Sequence, residues 1–171
     1  LRRLADPHVR IATLTITEKG YCLSGENLDL AHPDIVHDLA LPRSPVSAIG
    51  YLVEGLRRRR EADLAPYTAL SCDNLADNGG KLRRAVLQFA EKLDEELALW
   101  IAGNVTFPRS MVVRITPATD DALRERVDAQ LGVHDAWPVQ REPYTQWVIE
   151  DAFCNGRPAF ERVGVTISDE I

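Results

Sequence analysis

The sequence predicts an α/β fold, and two observations support this prediction. Short runs rich in β-branched residues, of which 9–17 is the clearest, are separated by longer segments with helical spacing of apolar residues. Such alternation is typical of a sheet with helices packed against it. Polar loops follow the predicted strands, as in 71–80, and the strand ends of open α/β sheets are where ligands bind.

The first predicted elements lie between residues 9 and 61. Residues 9–17 predict a buried strand, and the polar residues 18–27 predict a loop after it. A helix is predicted over 45–61, because Pro45 suits a first helical turn. The apolar residues on one face of this helix are Ile49, Leu52, Val53 and Leu56.

The centre of the chain predicts a second strand and the longest helix. The strand ends near Leu70, and the loop 71–80 follows it. Residues 81–102 then predict one long helix, and Gly103 is well placed to end it. The apolar stripe of this helix consists of Val86, Phe89, Ala90, Leu93, Leu97, Trp100 and Ile101.

A short strand is predicted over 111–115, followed by a helix over 121–131. Thr119 or Asp120 can cap this helix at its N-terminus, and Gly132 is its predicted stop.

The C-terminal part predicts further strands. Residues 145–150 alternate in side-chain character, and 163–167 are rich in β-branched residues. We expect mixed or antiparallel pairing of strands in this part of the chain.

Composition excludes several classes of function. A chain of 171 residues with 45% apolar and 27% charged residues is typical of one globular domain. A net charge of -6 argues against binding to nucleic acid or to a membrane surface. No apolar run approaches the roughly 20 residues that span a bilayer. The three cysteines are far apart and odd in number, which argues against a disulfide framework and fits a reducing cytoplasm.

Several motifs of known chemistry are absent from the sequence. It has neither a G-x-G-x-x-G nor a G-x-x-x-x-G-K-[ST] phosphate loop, and no G-x-S-x-G nucleophile elbow. Its histidines and cysteines lack zinc-site spacing, so we expect no metal. The basic run 57–60 is interpreted as a solvated helix end, where cations complement the helix dipole.

Two strand ends carry candidate site residues. Asn74 follows the second strand, and its amide could donate a hydrogen bond to a developing oxyanion. Thr17 and Glu18 follow the first strand, where they could contact a cofactor. The alternative for both segments is an ordinary polar turn.

These segments resemble one family, the polyol-specific long-chain dehydrogenases, which includes mannitol 2-dehydrogenase and fructuronate reductase (mannonate oxidoreductase). The resemblance covers nearly the whole chain, and the order of its motifs makes it specific. The motifs are T-I-T-E-K-G-Y-C at 15–22, S-C-D-N-L-x-x-N-G at 71–79, F-P-x-S-M-V-x-R-I-T-P at 107–117, E-P-Y-x-Q-W-V-I-E-D at 142–151 and G-R-P-x-x-E-x-V-G-V at 156–165.

The resemblance implies a Rossmann-like cofactor domain and a metal-free reaction with NAD. Hydride would pass between NAD(H) and a sugar ketone or secondary alcohol, of the fructuronate/mannonate type or, alternatively, the fructose/mannitol type. It implies that Asn74 binds the reacting oxygen and that Thr17 and Glu18 lie beside the nicotinamide. Val112 and Val113 would lie on the substrate side.

The same resemblance implies that parts of the enzyme lie outside this chain. The family's catalytic lysine belongs to a K-x-x-x-x-N-x-x-H motif that this sequence lacks, and the Gly-rich loop is also absent. We therefore expect residues 1–171 to be one incomplete cofactor domain, without the helical C-terminal domain and inactive in isolation. Its partner would be a small sugar or sugar acid, not nucleic acid or a membrane.

Two positions depart from the family pattern. Val113 stands where the family commonly has an aspartate, and Arg141 stands where a cysteine is common. The change at Val113 leaves open a different substrate, or a non-catalytic structural domain or degenerate homologue.

Overall fold

The computed structural model describes residues 1–113 and 116–169, and of Val113 it describes the backbone only. In the described residues no helix is long and apolar enough to cross a membrane. The chain divides into two compact units, 1–112 with 147–171 and Val113–Gln146. The strands are β1 (Ile11–Leu14), β2 (Leu23–Ser24), β3 (Asn27–Leu28), β4 (Thr68–Ser71), β5 (Ser110–Val113), β6 (Gln146–Glu150) and β7 (Thr166–Ser168). The α-helices are α1 (Pro33–Ala40), α2 (Ala48–Glu61), α3 (Asn78–Leu93), α4 (Glu95–Asn104) and α5 (Asp121–Leu131).

The predicted α/β fold is confirmed by the parallel pair β1 and β4. Ile11 lies opposite Thr68 and Leu14 opposite Ser71, and α1 and α2 lie between the two strands in the chain. All four residues of β4 are buried, as expected for a parallel strand covered on both faces. One face packs on the core formed with α2, α3 and α4, and the other packs on a smaller cluster around Ile149.

The helix predicted over 45–61 begins three residues later, at Ala48. The Ser47 hydroxyl accepts a hydrogen bond from the N–H of Gly50, so Ser47 and not Pro45 starts the helix. The buried carboxylate of Asp38 binds the N–H and hydroxyl of Ser47 and so connects α1 to this cap. A Cβ at position 50 would collide with Asp38, which explains the glycine there.

The single long helix predicted over 81–102 is wrong, because the chain breaks at Asp94. Asp94 has an extended backbone and caps α4 by accepting a hydrogen bond from Leu97 N–H. The apolar spacing continues across the break, so periodicity alone could not locate it. Gly103 does not end α4, which continues to Asn104.

The loop predicted over 18–27 contains regular structure. Residues Glu18–Tyr21 form a 3-10 helix, and β2 and β3 form a small antiparallel hairpin. Gly25 takes φ +62° in its turn, a conformation that suits two-residue hairpin loops.

The C-terminal strands form a second sheet in the order β5-β6-β7. β6 and β7 pair in parallel, which agrees with the mixed alternative of the expectation and not with purely antiparallel pairing. The segment between them, which includes the 3-10 helix Phe160–Val163, is long enough for a parallel crossover. Of the predicted strand 111–115, residues 114 and 115 lie outside the described residues.

The basic run 57–60 is less solvated than predicted. Arg59 is 1% exposed, and its guanidinium donates hydrogen bonds to four backbone carbonyls and lies 5.1 Å from the centre of the Tyr67 ring. Arg57 pairs with the nearly buried Glu54. This run therefore holds the helix end to the N-terminal segment.

The unit Val113–Gln146 is built around α5. The predicted cap and stop are confirmed: Asp120 accepts a hydrogen bond from Leu123 N–H, and Gly132 takes a left-handed conformation. Thr119, the other predicted cap, donates its hydroxyl to the carbonyl of Pro138 instead.

Candidate functional site

Two loops leave the same end of the parallel pair β1 and β4. The loop 15–22 follows β1 and the loop 72–77 follows β4. The backbone bond from Cys72 N–H to Leu14 O, at 2.8 Å, extends the pairing just beyond the strands. The predicted site residues Thr17, Glu18 and Asn74 therefore lie at one edge of the sheet, and all three are exposed.

The side chain of Asp73 joins these two loops. One carboxylate oxygen accepts the N–H of Thr17 at 3.0 Å, and the other accepts the N–H of Ile16 at 3.1 Å. The hydroxyl of Tyr21 donates to the same carboxylate at 2.6 Å. Residues more than fifty positions apart are thus connected next to Asn74. Sequence analysis missed Asp73, because its partners are distant in sequence.

Tyr21 bonds to this network from the buried side. Its side chain is fully buried, and its hydroxyl lies 2.5 Å from the Ser71 hydroxyl as well as bonding Asp73. Burial and the hydrogen bond to Asp73 raise the pKa of Tyr21 well above its ordinary value. The phenol therefore stays protonated and acts as a donor to the carboxylate at any physiological pH.

Thr17 adopts a backbone conformation that residues other than glycine rarely take. Its φ of 61° and ψ of 169° place it in a region that costs about 1–3 kcal/mol for a residue with a side chain. The hydrogen bond from its N–H to Asp73 holds it there. Strained backbone of this kind is frequent where a ligand is held.

Asn74 lies at the tip of a tight turn. The N–H of Leu75 donates to the carbonyl of Asp73 at 2.9 Å, which closes a three-residue turn around Asn74. The amide of Asn74 is exposed and has no hydrogen-bonding partner within 1–113 and 116–169. It is therefore free to bind a ligand from a fixed backbone.

Asn78, in contrast, holds the base of the same loop. Its side chain is 1% exposed, and its NH₂ group lies within 3.4 Å of the carbonyls of Ser71, Asp73 and Ser110. Its oxygen accepts the N–H groups of Gly79 and Ser110, at 2.7 and 3.0 Å. The amide-rich motif thus contains two asparagines with different surroundings: Asn78 is buried and bonded within the fold, and Asn74 is exposed.

A cleft of about 540 Å³ opens beside the loop 15–22, within the range of small-molecule sites. Its walls include Thr17 and the N-terminus of α2 at Ser47 and Ala48, but not Glu18 or Asn74. Of the predicted site residues, Thr17 is therefore the one that lines this cleft. Glu18 begins the adjacent 3-10 helix with its side chain in solvent.

The cysteines near the site are unsuited to nucleophilic catalysis. Burial and the Asp73 carboxylate raise the pKa of Cys72 to about 11, and burial also raises the pKa of Cys22. Both thiols therefore stay protonated near neutral pH, whereas the thiolate is the reactive form.

One group of described residues has the chemistry of metal ligands. Potential ligand atoms of Cys22, His32 and Asp34 lie within 4.8 Å of one another. However, Nδ1 of His32 already accepts the N–H of Asp34 at 3.2 Å and caps α1. A cation at this nitrogen would displace the cap and would face the positive end of the helix dipole.

The substrate-side prediction falls on β5. Val112 is half-buried in this strand, and the side chain of Val113 lies outside what the structure describes. β5 begins at Ser110, whose hydroxyl donates to Ser71 O at 2.5 Å. The start of β5 is thereby fixed to the end of β4.

Comparison with known proteins identifies relatives over the full chain. The D-mannonate oxidoreductase of Escherichia coli (strain K12) is 52% identical, over 96% of this chain and 34% of its own length. The mannitol 2-dehydrogenase of Cereibacter sphaeroides is 47% identical, over 100% of this chain and 36% of its own length. In both cases the chain spans about a third of the relative.

A solved structure agrees with the fold. The mannitol 2-dehydrogenase of Pseudomonas fluorescens, in a ternary complex with NAD and D-mannitol, superposes with a TM-score of 0.85 at 47% identity. The match covers 99% of this chain and 35% of that protein. The family model described as the mannitol dehydrogenase Rossmann domain matches residues 2–162. The chain therefore belongs to the mannitol dehydrogenase family and forms part of its Rossmann domain.

Proposed function

We propose that this chain is part of an NAD-dependent oxidoreductase that transfers hydride between NAD(H) and a sugar ketone or secondary alcohol. The observation that carries the proposal is the pair of connected loops at the ends of β1 and β4. They hold Asn74, whose amide has no partner among the described residues, and a strained Thr17 at the edge of the sheet where Rossmann domains bind their ligands.

In this proposal Asn74 stabilises the oxygen of the reacting carbonyl or alkoxide. The amide is exposed, does not titrate, and extends from a turn whose backbone is fixed on both sides. A donor held in this way needs little reorganisation as charge develops on the oxygen. The general acid/base would be the lysine of the family motif that this sequence lacks.

NAD is the cofactor that this domain fits. Thr17 lines a cleft at the strand ends, and Glu18 lies next to it in solvent, so both are proposed to contact the nicotinamide half. The bound cofactor supplies the hydride acceptor or donor. The residues that hold its pyrophosphate would belong to a Gly-rich loop outside this sequence, and we propose no role for a metal in the reaction.

We further propose that the chain is the later part of a cofactor domain, completed by other parts of a longer protein that include a helical C-terminal domain. Its relatives are about three times as long. Within 1–113 and 116–169, no strand pairs with the outer edge of β1. In contrast, β4 has a neighbour on each side. One neighbour is β1, and the other is the segment after α4, which is joined by the hydrogen bond from Ala69 N–H to Thr106 O. A sheet edge of this kind is normally covered. The three free cysteines favour the reducing cytoplasm as its location.

The substrate is proposed to be a small sugar acid of the fructuronate/mannonate type, with fructose/mannitol as the alternative. The identity to the D-mannonate oxidoreductase, 52%, is slightly higher than that to the mannitol 2-dehydrogenase, 47%. Val112 and Val113 are proposed to lie on the substrate side, where valine instead of the family aspartate would select a different sugar.

The variant Val113→Asp in the full-length protein tests the proposed substrate-side role of Val113. A charged group at a site adapted to valine should lower kcat/KM for the protein's own substrate by about 10-fold or more. Steady-state kinetics with mannonate and mannitol would measure it. A large gain in turnover would contradict substrate selection and would indicate a degenerate homologue.

The variant Asn74→Ala tests the proposed reaction. In the full-length protein it should lower kcat by about 10²–10³, the usual effect of removing one oxyanion donor. Asn104→Ala is a matched control, because Asn104 is an exposed asparagine at the end of α4 and should leave kcat unchanged. Near-normal turnover of Asn74→Ala with NADH and fructuronate or fructose would overturn the assigned role.

A further inference from the structure

We propose that Asp73 is a positioning residue for the reaction, which fixes the Thr17 loop to the Asn74 turn so that cofactor-side and substrate-side groups face each other in a set geometry. The inference rests on the proposed function, because it assigns Asp73 a role through Thr17 and Asn74. Asp73 itself is not proposed to touch the reacting atoms.

The first argument is where Asp73 lies. Backbone pairing between the two strands ends with the bond from Cys72 N–H to Leu14 O. Beyond that point the loops 15–22 and 72–77 are connected by the carboxylate of Asp73, which accepts hydrogen bonds from the N–H groups of Ile16 and Thr17. The side chain therefore continues the connection between the strands into the loops that carry the candidate site.

The second argument is the strained backbone of Thr17. At φ 61° and ψ 169°, Thr17 has a conformation that a threonine in a free loop would leave. Its N–H bonds Asp73 at 3.0 Å, and among the described residues its carbonyl accepts only the local bond from Gly20 N–H at 3.1 Å. Asp73 is thus the long-range contact that keeps the Thr17 backbone in place.

The third argument is the way the carboxylate is itself held. Tyr21 donates to it from the buried side, and Asn78 binds the backbone carbonyl of Asp73 at 3.0 Å. The residue before Asn74 is therefore fixed through its main chain and its side chain together. In the described part of the chain the carboxylate accepts from the N–H groups of Ile16 and Thr17 and from the Tyr21 hydroxyl, so an asparagine, with one acceptor and one NH₂ group, could not replace it fully.

The test compares Asp73→Ala, Asp73→Asn and Tyr21→Phe in the full-length protein. Misplacement of catalytic groups by a fraction of an ångström to an ångström should lower kcat for Asp73→Ala by about 10–100-fold while KM changes little. Asp73→Asn and Tyr21→Phe keep part of the network and should lose less. Hydrogen–deuterium exchange of peptides covering 15–22 should likewise be fastest in Asp73→Ala and less increased in Asp73→Asn and Tyr21→Phe.

Asp94→Ala is the matched control for general destabilisation. Asp94 also accepts a backbone N–H, that of Leu97, but it caps α4, and in the described part of the chain its side chain pairs with Arg60 and not with either loop. The variant should lower stability through the lost cap of α4 but leave kcat and the exchange of 15–22 unchanged.

Two outcomes would overturn the proposal. One is an Asp73→Ala variant with normal kcat, whether or not exchange in 15–22 is faster, and the other is a variant with low kcat and unchanged exchange. Neither depends on Asn74→Ala, whose normal turnover would instead overturn the proposed reaction. The two failures are therefore distinguishable.

Discussion

Asn74 and Asn78 lie four residues apart in one motif, yet their surroundings are opposite. Asn78, at the base of the site, is 1% exposed and is bonded through both ends of its amide. Asn74, at the rim, is exposed and has no partner in the described part of the chain. The same chemical group is therefore bonded within the fold at one position and exposed at the other, where we propose that it binds a ligand.

The difference extends to other residues of the site. Asp38 is fully buried beside the N-terminus of α2, whereas Thr17 is exposed on the cleft that this terminus helps to form. The base groups, the side chains of Asn78 and Asp38, form their hydrogen bonds within the protein. Their removal therefore leaves buried partners unpaired. The rim groups, the side chains of Asn74 and Thr17, are exposed to solvent. Their removal should therefore affect ligand binding and not the free energy of unfolding.

The largest expected effect is that of Asn78→Ala on stability. The substitution leaves the N–H groups of Gly79 and Ser110 and several buried carbonyls without partners. We expect the free energy of local opening around 71–79 to fall by about 3–5 kcal/mol. Native-state hydrogen exchange of peptides covering 71–79 and 107–113 in the full-length protein would measure it.

Asn74→Ala is the control for this measurement. Because its amide is exposed and has no partner among the residues that the structure describes, its removal should change the same free energy by less than about 0.5 kcal/mol. If Asn74→Ala destabilised the loop as much as Asn78→Ala, the distinction between rim and base would be wrong.

The sequence predicted those features that depend on neighbours in the chain. The cap and stop of α5 are local signals, Asp120 and Gly132, and both are confirmed. The break at Asp94 was missed because the apolar spacing is unbroken across it. Asn78 could not be separated from Asn74 by sequence pattern, since its partner Ser110 is 32 residues away.

The sequence predicts the positions of the site residues better than it predicts their contacts and backbone conformations. The placement of Thr17 and Asn74 at one edge follows from parallel pairing of two predicted strands, which the sequence suggested. The connection through Asp73 depends on contacts across more than fifty residues. Strain at Thr17 is likewise invisible in the sequence, because threonine has no preference for that conformation.

A smaller, pH-dependent effect on stability should come from Asp38, which is buried beside the N-terminus of α2. Burial alone would raise the pKa of Asp38, but hydrogen bonds from the Ser47 hydroxyl, His37 and the N–H groups of Val46 and Ser47 outweigh it and hold the pKa below its usual value. A carboxyl whose pKa is lower in the folded protein stabilises it above the unfolded pKa of about 3.9. That contribution is lost as the pH falls through the folded pKa.

Asp38→Asn should therefore destabilise the full-length protein by about 2 kcal/mol near neutral pH, because an amide cannot accept all of these bonds. The difference from the unchanged protein should narrow below about pH 4, where the native carboxylate also begins to protonate. Unfolding midpoints measured across this range would follow both variants. Asp121→Asn is the control, since Asp121 is exposed at 93% and should change stability little at any pH. A difference as large in acid as at neutral pH would mean that the ionised form of Asp38 is not what stabilises Ser47 at the start of α2.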